Sequence, residues 1–371
     1  MSLKPYKISF CIVCMNRLCQ LSETLLKNIE DNAGYENIEF VLLNYNSQDG
    51  MEEWVKENMS EFISSGRLVY YKTIQPQSFS HSHSKNLAFN LATGHIVCNI
   101  NADHFTGTDF ANYVNREFSD CENIVLTPID FPRARRGFRP AKDVFGKVCV
   151  LKKSFEQVKG FDERMKGYGF EDFDFVNRLE LSGVKRRLID DFAFLKYISH
   201  SEESRYDLKE EMINSIYVHY VSSSKTEFLF LDAQQRFKRF LVADNFGEGS
   251  ANYDNAYRTR DIKFETTIMR PGIEEGVWRE DSADVYLNFD SGRSDVLCKR
   301  DFGLLRDKGK IKFYRLSDAK LVKEIINSSY FIPNRYIMER NLVRKLVRAN
   351  PNRFGAGVVF KNFLESPIDV A

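Results

Sequence analysis

Residues 7–204 alternate short apolar runs with segments of helical periodicity, and no other feature limits the fold of this chain as strongly. Ile8–Cys14 is a β-type run, and Leu18, Leu21, Leu25 and Ile29 follow it at helical spacing. Ile38–Leu43 predicts a second strand. It ends in the polar turn Asn44-Tyr45-Asn46-Ser47-Gln48-Asp49-Gly50, before a helix that turns Trp54, Val55 and Phe62 inward. Leu68–Tyr71 predicts a third strand and Ser84–Ala92 a short helix closed by Thr93-Gly94, a common C-terminal stop. Ile96–Ile100, Ile124–Thr127 and Val148–Leu151 predict further strands. Strands that alternate with helices imply an α/β fold built on a mostly parallel sheet. Ligands of such sheets bind beyond the carboxyl ends of the strands. The polar clusters at residues 44–49 and at Asn101-Ala102-Asp103-His104 both stand there.

The densest chemistry lies in Gly167-Tyr168-Gly169-Phe170-Glu171-Asp172-Phe173-Asp174, which runs into the apolar helical face of Phe175-Val176-Asn177-Arg178-Leu179. A Gly-x-Gly turn lets backbone approach a ligand closely. Adjacent carboxylates in the first turn of a helix sit in the positive field of its N-terminus. An aspartate kept charged in this way can take a proton from a substrate hydroxyl. A capped, solvated helix start is the plainer alternative.

Other segments carry weaker signals. Asp103 follows a strand end, where a carboxylate can hold a divalent cation against a diphosphate. His200 follows the apolar run Leu188–Ile198 and reads equally as a late metal ligand or a surface histidine. His81 and His83 flank Ser82 and read either as alternating metal-binding histidines or as loop residues; Lys85 and Asn86 after them begin a helix that can meet a phosphate or carry a solvated lysine. Arg133, Arg135 and Arg136 belong to a basic, proline-bounded loop suited to oxyanions.

Composition excludes some classes. A formal net charge of +1 gives no global electrostatic case for nucleic acid. Seven cysteines without a framework spacing point to a reducing compartment. Cys11 and Cys14 stand three apart on a strand and so face opposite ways, which speaks against joint metal ligation. No apolar stretch approaches the roughly 20 residues of a membrane helix, and no signal-peptide pattern is present. The expected location is cytoplasmic, at most peripheral to the inner face of a membrane. Beyond residue 204 the character changes. Residues 208–245 read as helical, 282–316 as short strands, and 318–328 and 334–349 as helical, without a catalytic motif. The expected division is 1–204 and 205–371, the second a mainly helical or α+β domain for acceptor control or self-association.

In order and spacing, residues 7–204 resemble family 2 glycosyltransferases with the nucleotide-sugar-binding GT-A fold, a mixed sheet flanked by helices. Asn44–Asp49 is similar to that family's nucleoside-binding turn, and Ser82–Ala88 to its Ser-x-Ala-Arg-Asn-x-Gly. Asn101-Ala102-Asp103 stands where the metal-binding Asp-x-Asp belongs. Lys159-Gly160-Phe161-Asp162-Glu163 followed by Gly167–Asp174 closely resembles the pattern of β-galactosyl- and N-acetylgalactosaminyltransferases. The resemblance implies an inverting, metal-dependent hexosyl or N-acetylhexosaminyl transfer from a UDP-sugar to a glycan acceptor, in capsular or surface polysaccharide synthesis. It makes Asp172 the base and Glu171 the positioning acid. Asn16, Asn44, Asn46, Lys85, Asn101 and Asp103 become donor-site residues, and Asp103 and His200 ligands of Mn²⁺ or Mg²⁺. Arg133, Arg135, Arg136, Tyr168 and Gly169 become the acceptor or diphosphate loop. Asn44, Tyr45 and Asn101 replace acids of the family pattern, so a non-catalytic binding module or an assembly scaffold is the alternative.

Overall fold

Ile8–Cys14 forms strand β1, buried along its whole length because apolar layers cover both its faces. Ile8, Phe10, Ile12 and Cys14 enter one layer, and Cys11 and Val13 the other. The two cysteines therefore do face apart. Burial pushes the Cys14 thiol up to about 12 and the Cys11 thiol well above its ordinary value, which makes both inert packing groups.

This computed structural model describes residues 5–129, 144–166, 168–199, 213–222, 225–243, 268–269, 274–309, 311–317 and 319–370. They fall into two compact units, 1–199 with 337–371, and 200–336. The elements of the first unit begin with α1 (Leu18–Asp31), β2 (Ile38–Tyr45), α2 (Met51–Asn58), α3 (Ser60–Ser64) and β3 (Leu68–Thr73). Then come α4 (His81–Leu91), β4 (Ile96–Asn99), α5 (Phe110–Asp120) and β5 (Ile124–Thr127). Next are β6 (Val148–Leu151), α6 (Lys152–Gln157), α7 (Glu171–Leu181) and β7 (Lys185–Leu188). Strands β17 (Gly357–Lys361) and β18 (Pro367–Val370) complete the unit.

The strands of this unit form a nine-stranded sheet of order β18-β17-β3-β2-β1-β4-β6-β5-β7. Strands β3, β2, β1 and β4 run parallel, whereas β6 lies antiparallel between β4 and β5. The result is a mixed α/β sheet. Strand order reverses between β1 and its neighbours β2 and β4, which opens a crevice at their carboxyl ends. The loops after Cys14, Tyr45 and Asn99 all begin there.

Two expectations need correction. The boundary at 204/205 assigned all of 205–371 to one domain, but β17 pairs antiparallel with β3 and returns the C-terminal residues to the first sheet. Residues 208–245 were expected to be helical. Where described, they form β8 (Ile213–Ser222), β9 (Lys225–Asp232) and β10 (Arg236–Ala243). Residues 216–218 and 228–231 are buried on both faces of their strands, so their apolar run lacks the alternation that marks a strand.

The second unit continues with β11 (Ile268–Met269), β12 (Glu274–Glu280), β13 (Asp284–Phe289), β14 (Ser294–Lys299), β15 (Leu305–Arg306) and β16 (Lys312–Arg315). These strands pair antiparallel, and β9 bonds both β8 and β10, which closes a ring of pairings. Tyr217, Leu229, Leu231 and Phe237 join one apolar cluster. Ile216, Val218, Phe228 and Phe230 join another with Ile325 and Ile326 of helix α8 (Ala319–Val343). The two helical segments expected at 318–328 and 334–349 fall on this single helix, which contains Pro333 and ends at Val343, so residues 344–349 are not helical.

Candidate active site

Helix α7 opens from two left-handed residues, Gly169 (φ 98°) and Phe170 (φ 68°), and carries Glu171, Asp172 and Asp174 in its first turn. The turn tips the helix start inward. Glu171 and Asp172 are 4% and 9% exposed, although both are acids. Buried carboxylates need a counter-charge. Lys85 of α4 supplies it: its Nζ lies 2.9 Å from Glu171 Oε1 and 2.7 Å from Asp172 Oδ1, and it is itself 5% exposed.

The electrostatics separate the two acids. Burial pushes the Asp172 carboxyl up to about 7, with the Glu171 charge adding to the rise and Lys85 opposing it. Burial also pushes Glu171 up, but the charges of Lys85 and His81 outweigh it and hold the group at about 2. Burial would lower the Lys85 ammonium, yet Asp172 and Glu171 raise it above its ordinary value, so it stays charged. A fixed anion, a fixed cation and one carboxyl that exchanges its proton near neutrality make an acid–base pair of unequal acids.

The structure adds residues that the sequence reading missed. Helix α4 starts at His81, not Ser84, with Ser80 as its N-cap accepting from the His83 amide. His81 and Lys85 are therefore one helical turn apart on the same face. His81 Nδ1 lies 3.7 Å from Glu171 Oε1, and its ring meets Phe79 at 4.6 Å and Tyr168 at 5.2 Å. Ser80 as a cap was the signal that could have found this face. His83 bridges the Tyr45 hydroxyl, 2.7 Å away, and the Ala356 carbonyl, 2.8 Å away.

The expected donor-site asparagines gather at the carboxyl ends of β1 and β2. Asn16 and Asn46 both have positive φ. Asn16 Oδ1 accepts from the Gln48 amide at 2.7 Å, and Asn46 Nδ2 donates to the Pro76 carbonyl at 2.8 Å. Asn44 sits inside β2 and is buried. Its Nδ2 donates to the Tyr70 hydroxyl and its Oδ1 accepts from the Ser47 amide, so its side chain shapes the turn.

Beyond β4, Asn101 Oδ1 accepts from Asn99, and its Nδ2 lies 3.3 Å from His104 Nε2. Asp103 is half-buried. Its carbonyl accepts from the Ile198 amide at 2.8 Å, and the Phe105 amide donates to the Lys196 carbonyl at 3.0 Å. Buried Lys147 pins the same two segments, donating to the carbonyls of Phe105 and Phe194. Residues 194–198 are thus bonded to the Asp103 loop. His200, Gly167 and the arginines 133, 135 and 136 lie outside the described residues. Among the described residues no group of three or more His, Cys, Asp or Glu side chains is placed to hold a metal ion.

The family description "N-terminal domain of galactosyltransferase" matches residues 137–207, the segment that carries Glu171 and Asp172. No curated protein matches the chain. Among solved structures, it is similar to a mannosyltransferase from Pyrobaculum calidifontis in complex with GDP-Man and Mn²⁺ (20% identity, 51% of this chain and 56% of that one, TM-score 0.42). It is also similar to S. aureus TarS 1–349 in complex with UDP (15% identity, 54% and 63%, TM-score 0.43). A third similar structure is glucosyl-3-phosphoglycerate synthase from Mycobacterium tuberculosis with Mn²⁺ and UDP (15% identity, 56% and 77%, TM-score 0.37). The chain spans between about half and two-thirds of the length of the first two.

Proposed function

We propose that the first unit is an inverting glycosyltransferase that moves a hexose or N-acetylhexosamine from a UDP-sugar to a glycan hydroxyl. The observation that carries this reading is the buried Lys85–Glu171–Asp172 group, in which one lysine bonds two adjacent carboxyls and burial pushes the Asp172 carboxyl up to about 7. The family match over residues 137–207 supports it.

Asp172 takes the proton of the acceptor hydroxyl as that oxygen bonds to the anomeric carbon. The bond from that carbon to the diphosphate breaks on the opposite face, and its electron pair leaves with UDP. Ionised Glu171 accepts hydrogen bonds from the sugar and holds it for attack. Lys85 keeps Asp172 in place and neutralises the pair. Asn16 and Asn46 frame the nucleoside end of the donor, and Tyr168 and Gly169, with the arginines 133, 135 and 136, its diphosphate or the acceptor.

The donor set suits an ion that arrives with its diphosphate: one half-buried carboxylate, Asp103, on a loop held by residues 196–198. Asp103 and His200 would hold Mn²⁺ or Mg²⁺, which would offset the charge of the leaving diphosphate. A surface-polysaccharide pathway is the proposed setting. No helix among the described residues is long and apolar enough to cross a membrane.

Calorimetry of UDP with and without Mn²⁺, on the wild type and on Asp103→Ala, tests the donor site. Metal-dependent binding that the substitution removes is the expected result. Absence of UDP binding in both conditions would overturn the UDP assignment. A non-catalytic nucleotide- or glycan-binding module is the second reading, favoured by Asn44, whose amide is spent inside the turn. Turnover that vanishes in Asp172→Asn while UDP binding persists would exclude it.

A further inference from the structure

Buried polar contacts fix direction as well as distance, because each donor must meet its acceptor. Such contacts converge under the candidate active site from residues far away in sequence. Asn341, near the end of α8 and 3% exposed, donates through Nδ2 to Asp174 Oδ1 at 2.8 Å and to Asp162 Oδ2 at 2.9 Å. Its Oδ1 accepts from Arg164 Nη2 at 2.9 Å. The second oxygen of Asp174 accepts from Arg178 Nε at 2.6 Å, and Arg178 Nη1 donates to the Val158 carbonyl. Asp174 stands two residues after Asp172, so this network holds the first turn of α7 from below.

The same loop, residues 158–164, is held a second time. Asn350 Nδ2 donates to the carbonyls of Lys159 (2.6 Å) and Phe161 (2.7 Å), and its Oδ1 accepts from the Glu163 amide. Asn86, the neighbour of Lys85, donates to the Phe161 carbonyl and to Glu163 Oε1, each at 2.9 Å. Gly355 completes the clasp. Its amide donates to Glu163 Oε1, and at φ 59° a Cβ there would lie 2.5 Å from the Asn86 backbone. The helix of Lys85 and the helix of Asp172 are thus both tied to one loop, and residues 341–355 lock that loop.

We infer that Asn341, supported by Asn350, is a positioning residue that sets where Asp172 stands against Lys85. This inference rests on the reading of Asp172 as the base. A displacement of about 1 Å at a reacting group can cost roughly a hundredfold in rate, so a clamp of this kind has catalytic weight.

The test is a carboxyl-carbon NMR titration of the full chain labelled at aspartate, with the Asp172 signal assigned by its loss in Asp172→Asn. Burial is the largest cause of the raised Asp172 carboxyl. In Asn341→Leu the loosened turn admits water, and the midpoint should fall by roughly one pH unit. Asn350→Ala should shift it in the same direction by less, and carries the test if Asn341→Leu does not fold. Glu39→Gln, on β2 at the amino end of the strands, is the control and should destabilise the protein without moving the midpoint. An Asp172 midpoint that stays at its wild-type value in folded Asn341→Leu and in Asn350→Ala, or that moves equally in Glu39→Gln, overturns the inference. Because the titration needs no substrate, failure of the base reading is a separate result: undiminished UDP-sugar turnover in Asp172→Asn. That outcome would remove the clamp's catalytic meaning.

Discussion

Replacing Lys85 with Met removes the cation shared by Glu171 and Asp172 and leaves two buried carboxyls side by side. Breaking a buried ion pair from one side costs about 3–5 kcal/mol. The pH dependence of that cost is the sharper prediction. In the wild type, Asp172 is raised from 3.8 to about 7. The native state therefore binds a proton more tightly than the unfolded chain, and stability falls as pH rises between those values. The full effect is about 4 kcal/mol, at ~1.4 kcal/mol per unit. Glu171 has the opposite sign: lowered to about 2, it contributes stability above its unfolded value of 4.5, which is lost as pH falls through 2.

Without Lys85, burial and the neighbouring charge raise both groups, and Glu171 joins Asp172 in losing stability with rising pH. Between pH 5 and 7 the variant should release about one proton more than the wild type on unfolding. The stability difference should then widen by about 1.4 kcal/mol per pH unit. Urea denaturation at pH 5, 6, 7 and 7.5 measures it. The Lys85 ammonium stays charged throughout, and groups remote from the pair cancel in the difference; His81, 3.7 Å from Glu171, is replaced by Gln in both proteins so that its own titration does not enter. A stability gap that is constant across this range would refute the reasoning, because it would mean that Lys85 is not the counter-charge of the pair.

Other outcomes follow from the same geometry. Asp172→Asn should lower turnover by about a hundredfold to ten-thousandfold, the range for a lost general base. It should leave stability at pH 8 no lower than in the wild type, since it removes a carboxyl that burial penalises there; a clear loss of stability at that pH would count against it. The turnover rate should show an acidic limb with its midpoint near 7, and a rate flat from pH 6 to 8 would speak against Asp172 as the base. Gly355→Ala should cost about 2–3 kcal/mol, because its positive φ and the approach to the Asn86 backbone leave no room for a methyl group; a thermal melt checks this.

Several parts of this architecture were legible in the sequence because their signals are local. The apolar runs of β1, β2, β4 and β5 have strand length, and the spacing of Leu21, Leu25 and Ile29 marks α1. Gly169, Glu171 and Asp172 announced a helix start with acids in its first turn. The second unit was misread at 208–245 because strands buried on both faces lose their alternation. Lys85 was read as a phosphate contact, but it stands on two acids 86 and 87 positions away, a pairing that no local pattern signals.

The sequence by itself determined which residues could do acid–base chemistry and which strand ends would present them, since residue type, period and turn chemistry act over a few positions. Only the tertiary structure decided how those groups are charged. Burial of Asp172, its pairing with Lys85 across 87 positions of the chain, and the bond from Asn341 to Asp174 across 167 positions are products of packing. Carboxyl acidity depends on local dielectric and on neighbouring charge, and neither is written in the order of residues near Asp172.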